Sequence, residues 1–343
     1  MEMKKKWIAE ILYCLAAVFF LGICISAKTA TPVVGQAGEL NTVTPAPEAT
    51  KIPTPIVVNG QKEEGTPTTF PVPTEGGTPI PIEEPTPTEH PAKEGNLPEA
   101  VEINNENYEQ YSNELNAWWF VRKENHSPSG SGETFSIAPY SGYYLDKEAT
   151  EEDKVVYLTF DCGYENGFTP GILDTLAEKE VKAMFFVTKD FVVKNPEYVK
   201  RMKEEGHLVG NHTVRHLSSP SLTPEELEAE LSEVVKTMYE LTGYAMDPFF
   251  RPPMGEYSER TLKAAQDMGY SSIFWSIAYY DYNVNDQPGK EYVVDHFNTY
   301  HHNGTIVLMH NTSQSNAEAL ADVVDLLKAE GYRFGELTEV TGK

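Results

Sequence analysis

Five short apolar segments of this 343-residue chain end in, or are soon followed by, residues that commonly catalyse reactions or bind metals. The segments read VVYLTF, HLVGN, PFFR, SSIFW and TIVLM, and each has the length and the branched or aromatic content of a buried strand. The residues are Asp161 and Cys162, Asn211 and His212, Arg251, Asp281, and His310, in the order of the segments. If the segments are parallel strands, their carboxyl ends meet at one face and these residues converge on one site.

The stretch GNHTVRH places His212 and His216 four residues apart, just after one of these segments. On one helical turn or a tight loop, both imidazoles can face a single metal ion and leave positions open for water and substrate. A pair of this kind on its own is more often two ordinary histidines than a metal site. An aspartate, a cysteine and a further histidine at the same mouth favour the metal site.

A metal ion, a carboxylate and a histidine together are sufficient for metal-assisted hydrolysis. The metal polarises a carbonyl group, the carboxylate takes a proton from water, and the histidine protonates the leaving group. The sequence contains no serine nucleophile elbow, P-loop or Cys-His-Asn signature that would indicate a different chemistry. These residue types therefore favour a metal-dependent hydrolase.

An alternation of apolar strands and helices must position these residues. Thr223 with Glu226 predicts a capping box at the start of one helix, and Ser315 with Glu318 predicts another. Two further segments, KAMFFV and YRF, bring the predicted strands to seven. Continuous apolar strands between helices imply a mainly parallel sheet with helices outside it. Seven strands without a dinucleotide-binding fingerprint favour a barrel over an open doubly wound sheet.

The composition divides the chain into three zones. Residues 1–28 hold Lys4, Lys5 and Lys6 before an uncharged apolar run, which predicts a signal anchor or a cleaved signal peptide. Residues 29–100 are dense in Pro, Thr and Glu and predict a disordered linker. The remainder is long enough to form one α/β unit. We therefore expect an extracytoplasmic protein, anchored to the membrane by residues 1–28 alone, or secreted if that segment is cleaved.

Charge and cysteine content exclude two classes of interaction. The formal net charge is −25, from 52 acidic and 27 basic residues, which argues against a nucleic-acid or anionic-membrane partner. Cys14 and Cys24 lie in the apolar run, and Cys162 is the remaining cysteine. A lone cysteine forms no intramolecular disulfide, so we expect a domain without one.

Five ordered motifs, TFDCGYENG, GNHTVRH, RPPMG, AYYDYNVN and LMH, resemble those of the NodB-homology polysaccharide deacetylases, carbohydrate esterase family 4. The resemblance spans residues 154–340, and YENG, RPPMGEYSERTL and WWFVRKENHSP are most similar to the delta-lactam-biosynthetic de-N-acetylases. That group removes acetyl groups from muramic acid in spore-cortex peptidoglycan. The resemblance implies a distorted (β/α)7 barrel with a catalytic domain at residues 154–343. Residues 101–153 would be an extension packed on the barrel, and we expect Trp118 and Trp119 to pack there rather than to stack on sugars.

The resemblance also implies roles for individual residues. Asp161 matches the general base, and Arg251 matches the arginine that pairs with it. His212 and His216 match the metal ligands. Met254 matches a position whose backbone N–H helps to hold the oxyanion.

The remaining matches concern the leaving group and the acetyl pocket. His310 matches the general acid, Asp281 matches the carboxylate that orients it, and Leu308 matches an apolar residue of the pocket. An amide nitrogen leaves poorly until it is protonated, so an acid opposite the base is chemically necessary. A carboxylate beside His310 would keep that imidazole charged and oriented.

Cys162 departs from the family pattern, which has a second aspartate, or an asparagine in the muramic branch, at that position. We hypothesise that Cys162 is a third metal ligand as a thiolate; the alternative is a small apolar filler that points away. Two imidazoles and a thiolate would suit Zn²⁺, whereas two imidazoles and water would bind a divalent metal more weakly and less selectively. Tyr282 stands where a tryptophan is usual and preserves an apolar wall.

Three functions remain open on the sequence, each with peptidoglycan or a related glycan strand as partner. The first is deacetylation of peptide-free N-acetylmuramic acid on the route to muramic delta-lactam. The second is deacetylation of N-acetylglucosamine in peptidoglycan or another exported glycan. The third is a catalytically inactive glycan-binding domain, and the presence of both a base and an acid argues against it.

Overall fold

The computed structural model describes residues 103–342 of the chain. The signal segment predicted at residues 1–28 and the linker predicted at residues 29–100 lie outside these described residues. Within residues 103–342, no helix is both long enough and apolar enough to cross a membrane.

The strands of the described region are short, apart from two that carry site residues at their ends. They are β1 (Asn116–Ala117), β2 (Phe120–Val121), β3 (Gly130–Ser131), β4 (Gly142–Tyr143), β5 (Val155–Cys162), β6 (Met184–Val187), β7 (Leu208–Asn211), β8 (Phe249–Phe250), β9 (Glu256–Tyr257), β10 (Ser271–Ile273), β11 (Thr305–His310) and β12 (Arg333–Phe334).

The main sheet has eight strands and is parallel throughout. Its order is β11-β5-β6-β7-β8-β10-β4, and β12 pairs with the first two residues of β5. The segment after β10 returns to β11 through a parallel bridge between Ile277 and Val307, where the N–H of Leu308 donates to the carbonyl of Ile277 at 2.9 Å. The sheet is therefore curled, with the carboxyl ends of its strands on one side.

The seven predicted strands all form, and the parallel α/β class is confirmed. The eighth strand, β4, was not predicted, because it is only two residues long and belongs to the region before the first predicted strand.

The helices lie between the strands as the alternation predicts. They are α1 (Thr169–Glu178), α2 (Lys189–Lys194), α3 (Pro196–Glu204), α4 (Pro224–Thr242), α5 (Glu259–Asp267), α6 (Lys290–Tyr300), α7 (Gln314–Ala329) and α8 (Leu337–Thr341).

One predicted helix start is confirmed and the other is wrong. Thr223 and Glu226 form the capping box of α4, each accepting a backbone N–H of the other. Ser313, not Ser315, caps α7, and its hydroxyl accepts the N–H of Asn316. Ser315 lies in the first turn of α7, where its Oγ accepts the N–H of Gly289 at 2.9 Å. Its hydroxyl thus ties the loop before α6 to α7 rather than capping a helix.

The two faces of β5 belong to different apolar layers. Val156, Leu158, Phe160 and Cys162 pack in the large core shared with α1 and α7. Val155 and Tyr157 pack instead with side chains of the neighbouring strands on the other side of the sheet. Since successive side chains of a strand point to opposite faces, odd-numbered positions of β5 face the inside of the curl.

Residues before β5 contribute to the packing of the sheet. β4 pairs with β10, and β1 pairs antiparallel with β9. Trp118 is buried, stacks on Phe274 with ring centroids 4.6 Å apart, and donates from Nε1 to the carbonyl of Trp275 at 2.9 Å. Trp119, by contrast, is 56% exposed.

Candidate active site

A cleft of about 780 Å³ opens at the carboxyl ends of the sheet strands. Residues from different strands and loops line it, as expected for a curled parallel sheet. The predicted site residues in its wall are Asp161, His212, His216, Met254, Leu308 and His310. Arg251 and Asp281 are fully buried beside it and contact the cleft residues from behind.

Asp161 is the penultimate residue of β5, on the inner face, and is held by Arg251. Arg251 Nη1 donates to Asp161 Oδ1 at 2.8 Å, and its other nitrogens donate to the carbonyls of Ile273 at 3.1 Å and Phe274 at 3.4 Å. Burial is the largest single effect and would raise the pKa of Asp161, but the charge and hydrogen bond of Arg251, together with the charges of His212 and His310, lower it overall. Asp161 is therefore an ionised carboxylate in a cleft, as a general base must be.

His212 is a neutral imidazole with one nitrogen available. Its Nδ1 lies 2.8 Å from the carbonyl of Arg251, so this nitrogen carries the proton and Nε2 is left as an acceptor. Nε2 lies 3.6 Å from Asp161 Oδ2. Burial lowers the pKa of His212 to about 4, although the charge of Asp161 opposes the shift. A neutral imidazole with a fixed tautomer is the form that binds metals.

His216 lies next to His212, with ring centroids 4.8 Å apart and an interplanar angle of 72°. Desolvation at the cleft wall also lowers the pKa of His216. Two neutral imidazoles beside a carboxylate fit a divalent metal by their donor chemistry. Within residues 103–342, however, no three or more His, Cys, Asp or Glu side chains are already arranged around one point that could hold a metal.

His310 ends β11, directly opposite Asp161 in the register of the sheet, and pairs with Asp281. Its Nδ1 lies 2.7 Å from Asp281 Oδ1, and its backbone N–H donates to Asp281 Oδ2 at 2.8 Å. Burial would lower the pKa of His310, but the charge and hydrogen bond of Asp281 overcome this and raise it. The other ring nitrogen, Nε2, points away from Asp281, so His310 can donate its Nε2 proton to another group.

Two residues that sequence reasoning missed complete the environment of Asp281. Asn316 in α7 donates from Nδ2 to Asp281 Oδ2 at 2.7 Å and to the carbonyl of His310 at 3.1 Å. The hydroxyl of Tyr279 donates to Asn316 Oδ1 at 2.8 Å, which fixes the orientation of the amide. An Asn at the third position of a helix resembles a capping residue, and no local signal distinguishes the two uses.

Met254 and Leu308 also line the cleft. Met254 has a left-handed backbone, with φ of 58°, and is followed by Gly255 with φ of 67°. Consecutive left-handed residues make a sharp turn at the cleft wall. The oxyanion role of the Met254 N–H remains a prediction.

The structure does not bring Cys162 to the cleft. Cys162 is completely buried among apolar side chains of the large core shared with α1 and α7, and its Sγ lies 3.9 Å from the carbonyl of Phe160. The reason is the alternation along β5, which directs Asp161 inward and Cys162 outward. Burial, together with the charge of Asp161, raises the pKa of the thiol well above its ordinary value. The geometry corresponds to the apolar filler, not to the hypothesised thiolate ligand.

A further missed residue is Glu230, in the middle of α4. Glu230 lies on the buried helix face that carries Leu227 and Val234, although its own side chain is a carboxylic acid. A charged residue within an apolar stripe is a signal that the sequence does contain. Its hydrogen bonds go to the loop that carries His216.

Comparison with known proteins agrees with the motifs. Residues 148–273 match the sequence profile of the family described as "Polysaccharide deacetylase". The chain is 40% identical over 234 residues to the peptidoglycan-N-acetylmuramic acid deacetylase PdaA of Bacillus subtilis, covering 68% of this chain and 88% of that protein. It is 33% identical over 201 residues to a peptidoglycan-N-acetylglucosamine deacetylase of Bacillus cereus, covering 57% and 92% respectively.

Solved structures give the same relationship in three dimensions. The structure of Bacillus subtilis PdaA, a family 4 carbohydrate esterase, matches with a TM-score of 0.63 and 40% identity, covering 67% of this chain and 97% of that one. A family 4 pseudoenzyme from Bacillus anthracis matches with a TM-score of 0.53 and 29% identity, covering 63% and 73%. The fold therefore occurs in both active and inactive proteins, and the site residues must distinguish the two.

Proposed function

The chain belongs to the polysaccharide deacetylase family, and on that premise we propose that it deacetylates peptide-free N-acetylmuramic acid in peptidoglycan. As a member of this family it is a hydrolase that cleaves the amide bond of an N-acetyl group on a glycan. The greater identity to the muramic acid deacetylase supports muramic acid over glucosamine. A place on the route to muramic delta-lactam in spore cortex is part of the same proposal and derives from the family resemblance.

One observation carries the catalytic part of the proposal. Asp161 and His310 face one cleft, and their partners shift their pKa values in opposite directions, down for the carboxyl and up for the imidazole. A pair of titratable groups separated in this way corresponds to a base and an acid. A binding domain without catalysis has no need for both, so this pair argues against the inactive alternative.

Each residue then has a task in amide hydrolysis. Asp161 accepts a proton from water as its oxygen attacks the acetyl carbon, and Arg251 keeps the carboxylate ionised until then. His310 donates its proton to the amine nitrogen as the carbon–nitrogen bond breaks, which releases acetate and a free amino sugar. Asp281 holds His310 in its charged form and orientation, and Asn316 fixes Asp281 through a hydrogen bond to Oδ2. Leu308 and Met254 supply apolar wall beside the acetyl group.

The proposal includes a divalent metal held by His212 and His216. When bound, it would polarise the acetyl carbonyl and make water more acidic. With Cys162 in the core, the thiolate that would favour Zn²⁺ is missing from the ligand set, and the two imidazoles would hold a divalent metal less selectively. We also propose that the curled sheet is a distorted (β/α)7 barrel, and that residues 1–28 anchor the protein outside the cytoplasm unless they are cleaved.

Acetate release from defined glycans tests the substrate. The assay compares glycan strands with peptides attached, the same strands after peptide removal, and N-acetylglucosamine oligomers, each with Zn²⁺ supplied. Acetate from peptide-free strands alone is the expected result, with Asp161→Asn as a control slower by about 10²–10⁴-fold. Acetate from N-acetylglucosamine oligomers would instead support the second function. No acetate from any glycan would support an inactive glycan-binding domain.

A further inference from the structure

The loop that joins His212 to His216 has an unfavourable backbone conformation. Thr213 and His216 are both left-handed, with φ of 67° and 53°, and neither is glycine. Residues of this kind stay in such conformations only where the surroundings impose them. The position of the His216 imidazole therefore depends on whatever restrains the loop.

Two restraints lie within the loop and its strand. Asn211 Oδ1 accepts the N–H of Thr213 at 3.0 Å, and Thr213 Oγ1 accepts the N–H of His216 at 3.0 Å. Neither hydrogen bond involves Val214 or Arg215, the two residues between Thr213 and His216. The backbone N–H groups of Val214 and Arg215 therefore need an acceptor from another element.

Glu230 of α4 supplies that partner. Its Oε2 accepts the N–H of Val214 at 2.9 Å and the N–H of Arg215 at 2.8 Å, and its Oε1 accepts a hydrogen bond from Arg215 Nε. Glu230 is 4% exposed. A buried carboxylate requires such donors, and hydrogen bonds to an ionised acceptor are stronger than neutral ones. The helix thus holds the middle of the loop through a single side chain.

We infer that Glu230 is a positioning residue for the metal site, which fixes the strained loop so that His216 stays beside His212. This inference rests on the proposed metal site. It assigns Glu230 no contact with substrate or metal. A residue of the shell behind the ligands can change metal affinity by about 10–100-fold without touching the ion.

A calorimetric titration of the full-length metal-free protein with Zn²⁺ alone tests the inference. Glu230→Gln preserves the size of the side chain, but its remaining oxygen is neutral and accepts the N–H groups of Val214 and Arg215 more weakly, and its NH₂ group cannot accept from Arg215 Nε. We expect a dissociation constant about 10–100-fold higher than that of the unmodified protein. Thermal unfolding of the metal-free variant, measured in parallel, separates weakened binding from a loss of folded protein.

Glu233→Gln is the matched control. Glu233 lies on the same helix, is about half exposed, and pairs with Lys189 Nζ at 2.7 Å, so the variant removes the same charge without touching the loop. We expect unchanged Zn²⁺ affinity. An unchanged affinity in folded Glu230→Gln would overturn the inference while the proposed function stands. Absence of Zn²⁺ binding by the unmodified protein would overturn the metal site and this inference together.

Amide hydrogen exchange in the unmodified protein provides a test that no folding defect can obscure. The N–H groups of Val214 and Arg215 should exchange slowly despite lying in a loop, because Glu230 accepts both. Exchange as fast as that of an open loop at these two positions would overturn the inference.

Discussion

At the scale of single residues, the site keeps an ionised carboxylate and a protonated imidazole in the same cleft. Asp161 must be ionised to accept a proton, and His310 must be protonated to donate one. Activity is therefore lost as the pH falls through the lowered pKa of Asp161, and again as it rises through the raised pKa of His310. The width of the active pH range depends on the partners of these two groups.

Asp281→Asn should narrow the pH range of activity by lowering its upper limit. The carboxylate of Asp281 raises the pKa of His310 against the effect of burial, so its removal lowers that pKa. The basic limb of kcat/KM against pH should move to lower pH, while the acidic limb, set by Asp161, moves little. The maximum should fall by about 10²–10⁴-fold, since general acid catalysis contributes that much.

Asp286→Asn is a suitable control for this profile, because Asp286 lies in the same loop and is exposed. Its pH profile should coincide with that of the unmodified enzyme. A basic limb that stays in place in Asp281→Asn would show that His310 is not the group titrating there.

At the scale of elements, β5 explains both a success and a failure of sequence reasoning. The convergence of Asp161, Arg251 and His310 follows from strands ending at one edge of a parallel sheet, which the motif order already implied. The orientation of Cys162 does not follow as readily. β5 is buried on both faces, so it lacks the apolar–polar alternation that would assign each side chain to a face.

Cys162→Ser distinguishes a core residue from a ligand. A hydroxyl in this apolar layer would be buried without a good partner, so we expect a loss of about 1–3 kcal/mol in the free energy of unfolding. Metal stoichiometry and affinity should not change. Cys162→Ala, which buries no polar atom, should cost less than Cys162→Ser. Weaker metal binding in both folded variants would indicate that Cys162 is a metal ligand after all.

The contacts that sequence reasoning missed are those between elements distant in the chain. Asn316 reaches Asp281 across 35 positions, and Glu230 reaches the backbone of Val214 across 16. Local sequence patterns predict helix faces and caps, but they do not predict which loop a buried polar side chain will hydrogen-bond. Ser315 illustrates the limit, because its sequence context fits a cap and its hydroxyl instead binds Gly289.

At the scale of the whole molecule, residues before the first predicted strand belong to the packing of the catalytic sheet. Trp118 stacks on Phe274 and hydrogen-bonds the carbonyl of Trp275, whose side chain lines the cleft. Its own N–H donates to the carbonyl of Gly255 at 2.8 Å, also at the cleft wall. The extension therefore supports one wall of the active site from behind.

Trp118→Ala should test whether this extension and the sheet unfold together. Truncating a buried tryptophan costs about 3–5 kcal/mol, whereas Trp119→Ala, at an exposed position, should cost much less. If the two regions form one cooperative unit, denaturant unfolding of Trp118→Ala should remain a single transition, displaced to lower denaturant and coincident with the loss of deacetylase activity. An early transition of the extension alone, with activity retained, would show instead that the sheet keeps its active-site wall without the tryptophan.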